Sequence, residues 1–305
     1  MAYVERWWLT DYTAEIYLYL RQRERRRMSY KCQSPQLRYR RSLVTFISDI
    51  CSRMDFCVLV KHLSVHLLDF YMDSQSVDAE HLQLLALGCI VVAAKTEEKD
   101  CRNSHISEVS KLMGNAYCPR DIARVERAIL EFFQWEVHHP TVAHFLEYFA
   151  VFAIFPTDVP SSHATISEEV EELRASMRNY LNYFLQASLK DYTFIQMPAS
   201  MVAASCIVCA RACLCLTPIW SVTLEKISDY TLEQLAICIN HLLTAKDRDD
   251  AESGAPTARP EEASEDMDTV GFPHHYDIMA AEDAESRRET RRAAQWPVHS
   301  SQCEM

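Results

Sequence analysis

Apolar residues in this chain recur at intervals of three and four rather than two, so the pattern predicts helices through most of its first 245 residues. Trp8, Tyr12, Ile16 and Tyr19 give a helix over about 11–27 one aromatic face. Ser34-Pro35 interrupts it. A second helix over about 36–53 carries Leu43, Phe46, Ile47 and Ile50 on one side, and a third over about 57–71 carries Leu59, Leu63, His66/Leu67 and Phe70. A fourth, over about 78–95, begins at Asp78, a residue type suited to an N-cap. Its stretch from Leu84 to Ala94 is uncharged all round, which places it in the middle of a bundle. A short helix is expected over 105–113. Pro119 can open the next, whose core face is Ile122, Val125, Ile129 and Phe132/Phe133, with Glu126 beside that face.

His139-Pro140 reads as a junction. A second helical set follows over about 141–155, 168–189, 198–216, 222–229 and 231–245. No repeat between the two sets is strong enough to read from the residues. After Lys246 the periodicity stops, and Asp, Glu, Pro, Ala, Ser and Arg dominate, a composition that predicts disorder. The expected division is 1–34, a leading helix and basic linker; 35–140, one bundle; 141–246, a second; and 247–305, an acidic tail. Residues 192–210 carry no charge and are long enough to raise a membrane span. Gln196, Pro198, the interspersed Ser and Thr, and Arg211 directly after them argue against one, so no membrane partner is expected.

Composition narrows the function. The four glycines are Gly88, Gly114, Gly254 and Gly271. Phosphate-cradling loops need several glycines close together, so P-loop and dinucleotide fingerprints are excluded. No nucleophile elbow or metal motif is present, and no cofactor is expected. The net charge is −12. Residues 246–305 hold 15 acidic against 7 basic side chains, whereas residues 21–41 hold nine basic residues against Glu24. A near-neutral body with one basic patch disfavours general nucleic-acid coating. The patch, Arg23 to Arg27 with Lys31, Arg38, Arg40 and Arg41, admits two readings: an import or nucleic-acid element, or a solvated helix end.

The twelve cysteines lie mostly in apolar stretches, and the N-terminus lacks an apolar leader segment, which together suggest a reducing intracellular setting, nucleus or cytoplasm. Cys206, Cys209 and Cys213 share a helical face, but the alanines around them suggest close packing rather than a zinc site. His138-His139 and His274-His275 have no second ligand pair at a telling spacing. No Ser-Pro or Thr-Pro occurs after residue 246.

Several segments together resemble the cyclins, and within them the cyclin J group. Asp11-Tyr12, Glu15-Ile16 and Tyr19-Leu20-Arg21 resemble the family's N-terminal helix. Leu82-Gln83-Leu84 followed by Ala93-Ala94-Lys95-Thr96-Glu97-Glu98 resembles the third helix of the cyclin box. Glu126, Ile129-Leu130, Trp135-Glu136-Val137 and Pro140-Thr141 resemble its fifth helix and exit. Met197-Pro198-Ala199-Ser200, Ala203-Ala204 and Trp220 resemble the C-terminal box. The resemblance covers about 8–245 and implies an all-α fold of two tandem five-helix boxes behind an N-terminal helix.

It also implies a non-catalytic regulatory subunit that binds a cyclin-dependent kinase in cell-cycle control. In the family, the lysine and glutamate at the positions of Lys95 and Glu126 hydrogen-bond the kinase backbone near its mobile helix. Tyr12, Ile16, Tyr19, Glu98, Trp135 and Val137 would add contacts. Without the resemblance, Lys95 is a cation at a helix C-terminus and Glu126 a solvated charge. A competing reading is a cyclin-fold adaptor similar to the transcription factor IIB group, although the zinc ribbon and strong basic faces of that group are missing.

Many cell-cycle cyclins also carry a substrate-docking groove. By position this chain keeps Leu43, Leu82 and Gln83 there, but has Arg40 and Ile47 in place of a methionine and a tryptophan, and Ile50 in place of an acidic residue. That substitution pattern argues against docking of a basic-leucine motif.

Overall fold

The computed structural model describes residues 10–98, 105–114, 116–155, 158 and 166–254, and among these eleven α-helices form and no strand. Trp8 and the expected tail beyond 254 lie outside the described residues. A leading helix α1 (Thr13–Arg25) precedes α2 (Arg40–Arg53), α3 (Val58–Ser74), α4 (Leu82–Glu97), α5 (His105–Leu112) and α6 (Pro119–Phe132). The second set is α7 (Val142–Ala150), α8 (Ile166–Lys190), α9 (Ala199–Cys213), α10 (Val222–Ser228) and α11 (Leu232–Gly254).

Each bundle is built around one helix of small and apolar residues. In the first it is α4, buried from Leu85 to Ala94 against α2, α3 and α6. Gly88 sets the approach of α6: a Cβ there would meet Val125 Cγ1 at 2.7 Å and Ile129 Cδ1 at 3.0 Å. In the second bundle it is α9, buried from Val202 to Arg211 against α7, α8 and α11. Its Ala203, Ala204 and Ala210 allow close neighbours. Cys206, Cys209 and Cys238 fill this interior, where burial pushes their thiols up, Cys238 to about 11. The uncharged segment 192–210 is therefore a 3₁₀ turn and the core helix of a bundle. The one described helix long and apolar enough to cross a membrane, Ala79–Glu97, is mostly buried.

Four expected boundaries move. Asp78 precedes a 3₁₀ turn, Ala79–His81, and its side chain makes no capping bond. Its carbonyl instead accepts from His81 N–H at 2.9 Å. The α7 helix stops at Ala150, because the buried Arg211 side chain pairs with Asp158 at 2.7 Å and donates to the Ala153 carbonyl at 2.7 Å. Those bonds hold the chain in a turn. The α9 helix ends at Cys213, and Cys215 turns the chain with a positive φ. The α11 helix continues past residue 246, where Tyr183 of α8 donates to Asp249 at 2.8 Å and Lys246 pairs with Asp250 one turn on.

The leading helix packs mainly on the second bundle. Leu20 is buried in that core, and Ile16 and Tyr17 pack against it. The Tyr17 ring meets Phe145, Tyr148 and Phe149 with centroids 5.3–6.3 Å apart. Much of the basic run is committed to holding this arrangement. Arg21 donates to Glu24 and Tyr230 at 2.9 Å, and Glu24 accepts from the Ser200 N–H and hydroxyl at 2.7 Å. Arg27 donates to the Ile195 and Met197 carbonyls at 3.0 and 2.8 Å.

Arg40 joins the two bundles. It grips both Asp69 oxygens at 2.8 and 2.9 Å and donates to the Leu189 and Lys190 carbonyls at the end of α8. Burial opposes its charge, and Asp69 more than restores it. Of the patch, Arg25, Arg26, Lys31, Arg38 and Arg41 remain exposed.

Candidate partner-binding surface

The close approach that Gly88 permits has its consequence two turns further along α4. Lys95 lies on the same face as Gly88, seven residues on, and Glu126 follows Val125 on α6. The two meet in an ion pair, Lys95 Nζ to Glu126 Oε1 at 2.6 Å. The Lys95 side chain is 48 % exposed and that of Glu126 13 %. A half-exposed ammonium therefore stands at the bundle edge, held by a carboxylate that packing keeps in place. Both retain lone pairs or N–H groups for a partner's backbone.

The α6 helix ends in a Schellman motif: Trp135 N–H donates to the Leu130 carbonyl at 2.8 Å and Gln134 N–H to Glu131 at 3.1 Å. Gly usually serves at the left-handed position, but here Gln134 and Trp135 take it in succession, with φ of 52° and 64°. The unusual turn presents Trp135, 69 % exposed, while Val137 is half-buried. On α1, Ile16 faces the core, whereas Tyr19 and, at the N-cap, Tyr12 are exposed at 47 % and 69 %. Leu18, 66 % exposed, joins this apolar face; the aromatic periodicity alone did not single it out. The sequence reading also missed what fastens the two pieces. Arg23 donates to Glu136 at 2.9 Å and to the His138 carbonyl at 3.3 Å.

The acidic pair after Lys95 is directed inward. Glu98 accepts from the Cys57 N–H at 2.8 Å, so it holds the start of α3. Glu97 faces His144 of α7, Oε1 to Nε2 at 3.4 Å, with both side chains under one-tenth exposed. His144 Nδ1 accepts from the Thr141 N–H at 3.1 Å, which leaves the ring proton on Nε2, facing Glu97. Glu147 lies close by, and burial pushes its carboxyl up to about 7.

The residues expected to line a docking groove are mostly turned into the core. Leu43, Ile47 and Leu82 are fully buried, Ile50 is 1 % exposed and Arg40 4 %. None of these five lines a surface. Only Gln83 is half-buried, and it accepts from the Tyr117 hydroxyl at 3.3 Å. Because Arg40 turns in to Asp69, the outward face of α2 is shifted: it carries Ser42, Phe46 and Asp49 at spacings of four and three. An aromatic ring and a carboxylate are therefore available after all, each one residue from the expected position.

The chain matches the family description "Cyclin, N-terminal domain" over residues 15–138 and "Cyclin, C-terminal domain" over 140–270. It is 34% identical over 248 residues to Cyclin-J of Xenopus laevis, covering 80% of this chain and 64% of that protein. It is 29% identical over 249 residues to Cyclin-J-like protein of Mus musculus, again covering 80% and 64%. The chain thus spans a little under two thirds of the length of these relatives. Among solved structures it is similar to a viral cyclin from herpesvirus saimiri, with a TM-score of 0.61 and 18% identity, over 76% of this chain and 96% of that one.

Proposed function

The chain belongs to the cyclin family, and from that premise we propose that it binds a cyclin-dependent kinase as a regulatory subunit acting in cell-cycle control. The single observation that carries the reading is the pair Lys95–Glu126, closed at 2.6 Å at the exposed edge of α4 and α6. Its positions are those at which the family engages the kinase backbone. Tyr12 at the N-cap of α1, Leu18 and Tyr19 on it, and Trp135 past α6 would supply exposed apolar area for the same partner.

The proposed action is mechanical. Kinase catalysis requires a strand lysine and a helix glutamate to be paired before the phosphates align. A partner that binds only the inward position of that helix shifts the population toward it. Lys95 and Glu126 would fix the backbone at the helix's edge, and the aromatic side chains would press on its flank. The subunit itself moves no proton and makes no bond. We place its action in the nucleus, the cytoplasm or both.

The adaptor reading loses ground because Arg21, Arg23, Arg27 and Arg40 are engaged inside the molecule. The deciding experiment is binding and activation of a panel of purified cyclin-dependent kinases by the full chain, repeated with Lys95→Ala plus Glu126→Ala. Unchanged activation by the double variant removes the assignment of this surface. Binding to a promoter complex with no kinase bound would favour the adaptor.

A further inference from the structure

A cavity of about 80 Å³ lies where the leading helix, the first bundle, the 139–142 connection and the second bundle meet. The acidic groups at its wall are already engaged. Both Asp69 oxygens accept from Arg40, and Glu24 accepts from Ser200 and Arg21. Arg27, at the same wall, donates its hydrogen bonds to the neutral carbonyls of Ile195, Gln196 and Met197; burial opposes its charge, and Glu24, one turn before it, only partly supports it.

Three buried nitrogens of lining residues have no partner: Arg23 Nε, His62 Nε2 and His139 Nε2. His62 is 3 % exposed. An unpartnered buried polar atom is costly, and three around one cavity call for an occupant. Its chemistry follows from what surrounds it: the Arg23 N–H, two imidazole nitrogens that donate when they carry a proton, and a guanidinium whose own hydrogen bonds go to neutral carbonyls.

We propose that this cavity binds one small tetrahedral oxyanion, inorganic phosphate or sulfate, which accepts from Arg23, His62 and His139 and balances the charge of Arg27. The volume admits a group of that size, and not a nucleotide. Because its ligands come from α1, α3 and the connection between bundles, the anion braces the junction. The surroundings of the histidines agree with a positive interior. Burial first, and then neighbouring positive charge, pull their ring nitrogens down: Lys61 and His144 for His62, His139 and Arg27 for His66, Arg23 for His139. His62 falls to about 3 and His139 to about 4. An anion among them reverses that pull, so binding takes up protons and tightens as pH falls.

The test is calorimetric titration of the full chain with inorganic phosphate, and separately with sulfate, at constant ionic strength against chloride. It is run at two pH values spanning the ordinary histidine range, and ring signals of His62 and His139 are followed by NMR. The expected result is saturable one-to-one binding, tighter at the lower pH, with both ring signals shifting. His62→Phe, which keeps an aromatic ring and removes both ring nitrogens, should weaken binding at least about ten-fold. His139→Phe, at a less buried site, serves if His62→Phe fails to fold. Binding of either oxyanion supports the proposal. Equal behaviour in chloride, unshifted ring signals, or unchanged affinity in a folded variant overturns it.

Discussion

Arg23 donates to Glu136 at 2.9 Å, and this bond fastens the helix bearing Tyr12 and Tyr19 to the turn bearing Trp135. The guanidinium holds the Glu136 carboxyl below its ordinary value, although that carboxylate is open to water. An ion pair with one partner open to water adds little Coulombic stability as a rule. Its value here is geometric, since it fixes two separate segments of the proposed docking surface. Arg23→Ala should weaken kinase binding about ten-fold and speed hydrogen exchange at residues 134–138. Arg23→Lys should restore part of the affinity. If Trp135→Ala and Tyr19→Ala reduce binding but Arg23→Ala does not, the fastening role is wrong; if none of them does, the surface itself is.

Lys95 and Glu126 should separate stability from binding. Their pair is half-exposed on the lysine side, so Lys95→Ala or Glu126→Ala should cost only about 0.2–1 kcal/mol of folding free energy. Kinase affinity should fall by at least about 2 kcal/mol in each, because a partner's backbone group loses its bond in the buried interface. Surface plasmon resonance and chemical denaturation on the same samples compare the two. A loss of affinity no larger than the loss of stability would contradict the assignment.

The helices and their grouping were legible because the core pattern is local. The uncharged run of α4 and the apolar stripe of α6 announce burial within one or two turns of sequence. The groove was misread for the converse reason. Which way Arg40 faces is decided by Asp69, twenty-nine residues on, and by carbonyls at the end of α8. Once Arg40 turns inward, Ile47 and Ile50 turn inward with it and Phe46 and Asp49 face out. Likewise no periodicity could show that Arg21, Arg23 and Arg27 are structural, since their partners lie over a hundred residues away. Glu98 matched a motif, yet its bond to Cys57 depends on the packing of α3 beside α4.

That shifted face makes its own prediction. Arg40→Met leaves Asp69 buried without its cation and should cost about 3–5 kcal/mol, where a surface groove residue would cost almost nothing. Ile47→Ala should cost about 2–5 kcal/mol, and Phe46→Ala clearly less because its ring is partly solvated. Urea denaturation of the three variants checks the order. If Phe46→Ala proves the most damaging, the facing of α2 is wrong.

Gly88 is a tighter constraint on the same surface. A Cβ would meet Val125 Cγ1 at 2.7 Å and Val125 Cβ at 3.4 Å, and a valine in a helix has little freedom to turn away. Gly88→Ala gains about 1 kcal/mol of helix propensity against an overpacking cost of about 1–3 kcal/mol. The net change should be a modest destabilisation. Kinase affinity should fall by more than stability does, because Val125 moves and Glu126 follows it. Pairing the substitution with Val125→Ala makes room and should restore both. A double variant that regains stability but not affinity would show that Gly88 does not act through the placement of Glu126.

The junction between the bundles should also report on pH through Glu147. Burial pushes its carboxyl from 4.5 up to about 7, His144 pulls it down and Glu97 pushes it further up. In the folded chain it keeps its proton to near neutrality, whereas in the unfolded chain it ionises near 4.5. Between those values the folded state binds more protons, so this group's contribution to stability is complete below about pH 4.5. It is lost as pH rises toward about 7, beyond which it stays constant. His62 acts in the opposite direction. Burial, with Lys61 and His144, lowers it to about 3, so it destabilises the fold as pH falls below its ordinary 6.5. The two effects overlap, and the parent's pH profile alone does not separate them. The difference between Glu147→Gln and the parent does, because His62 contributes equally to both. That difference should move in the variant's favour from pH 4.5 to 7 and then level off. A difference that stays flat across that range in denaturant titrations would mean that Glu147 is ionised in the folded chain.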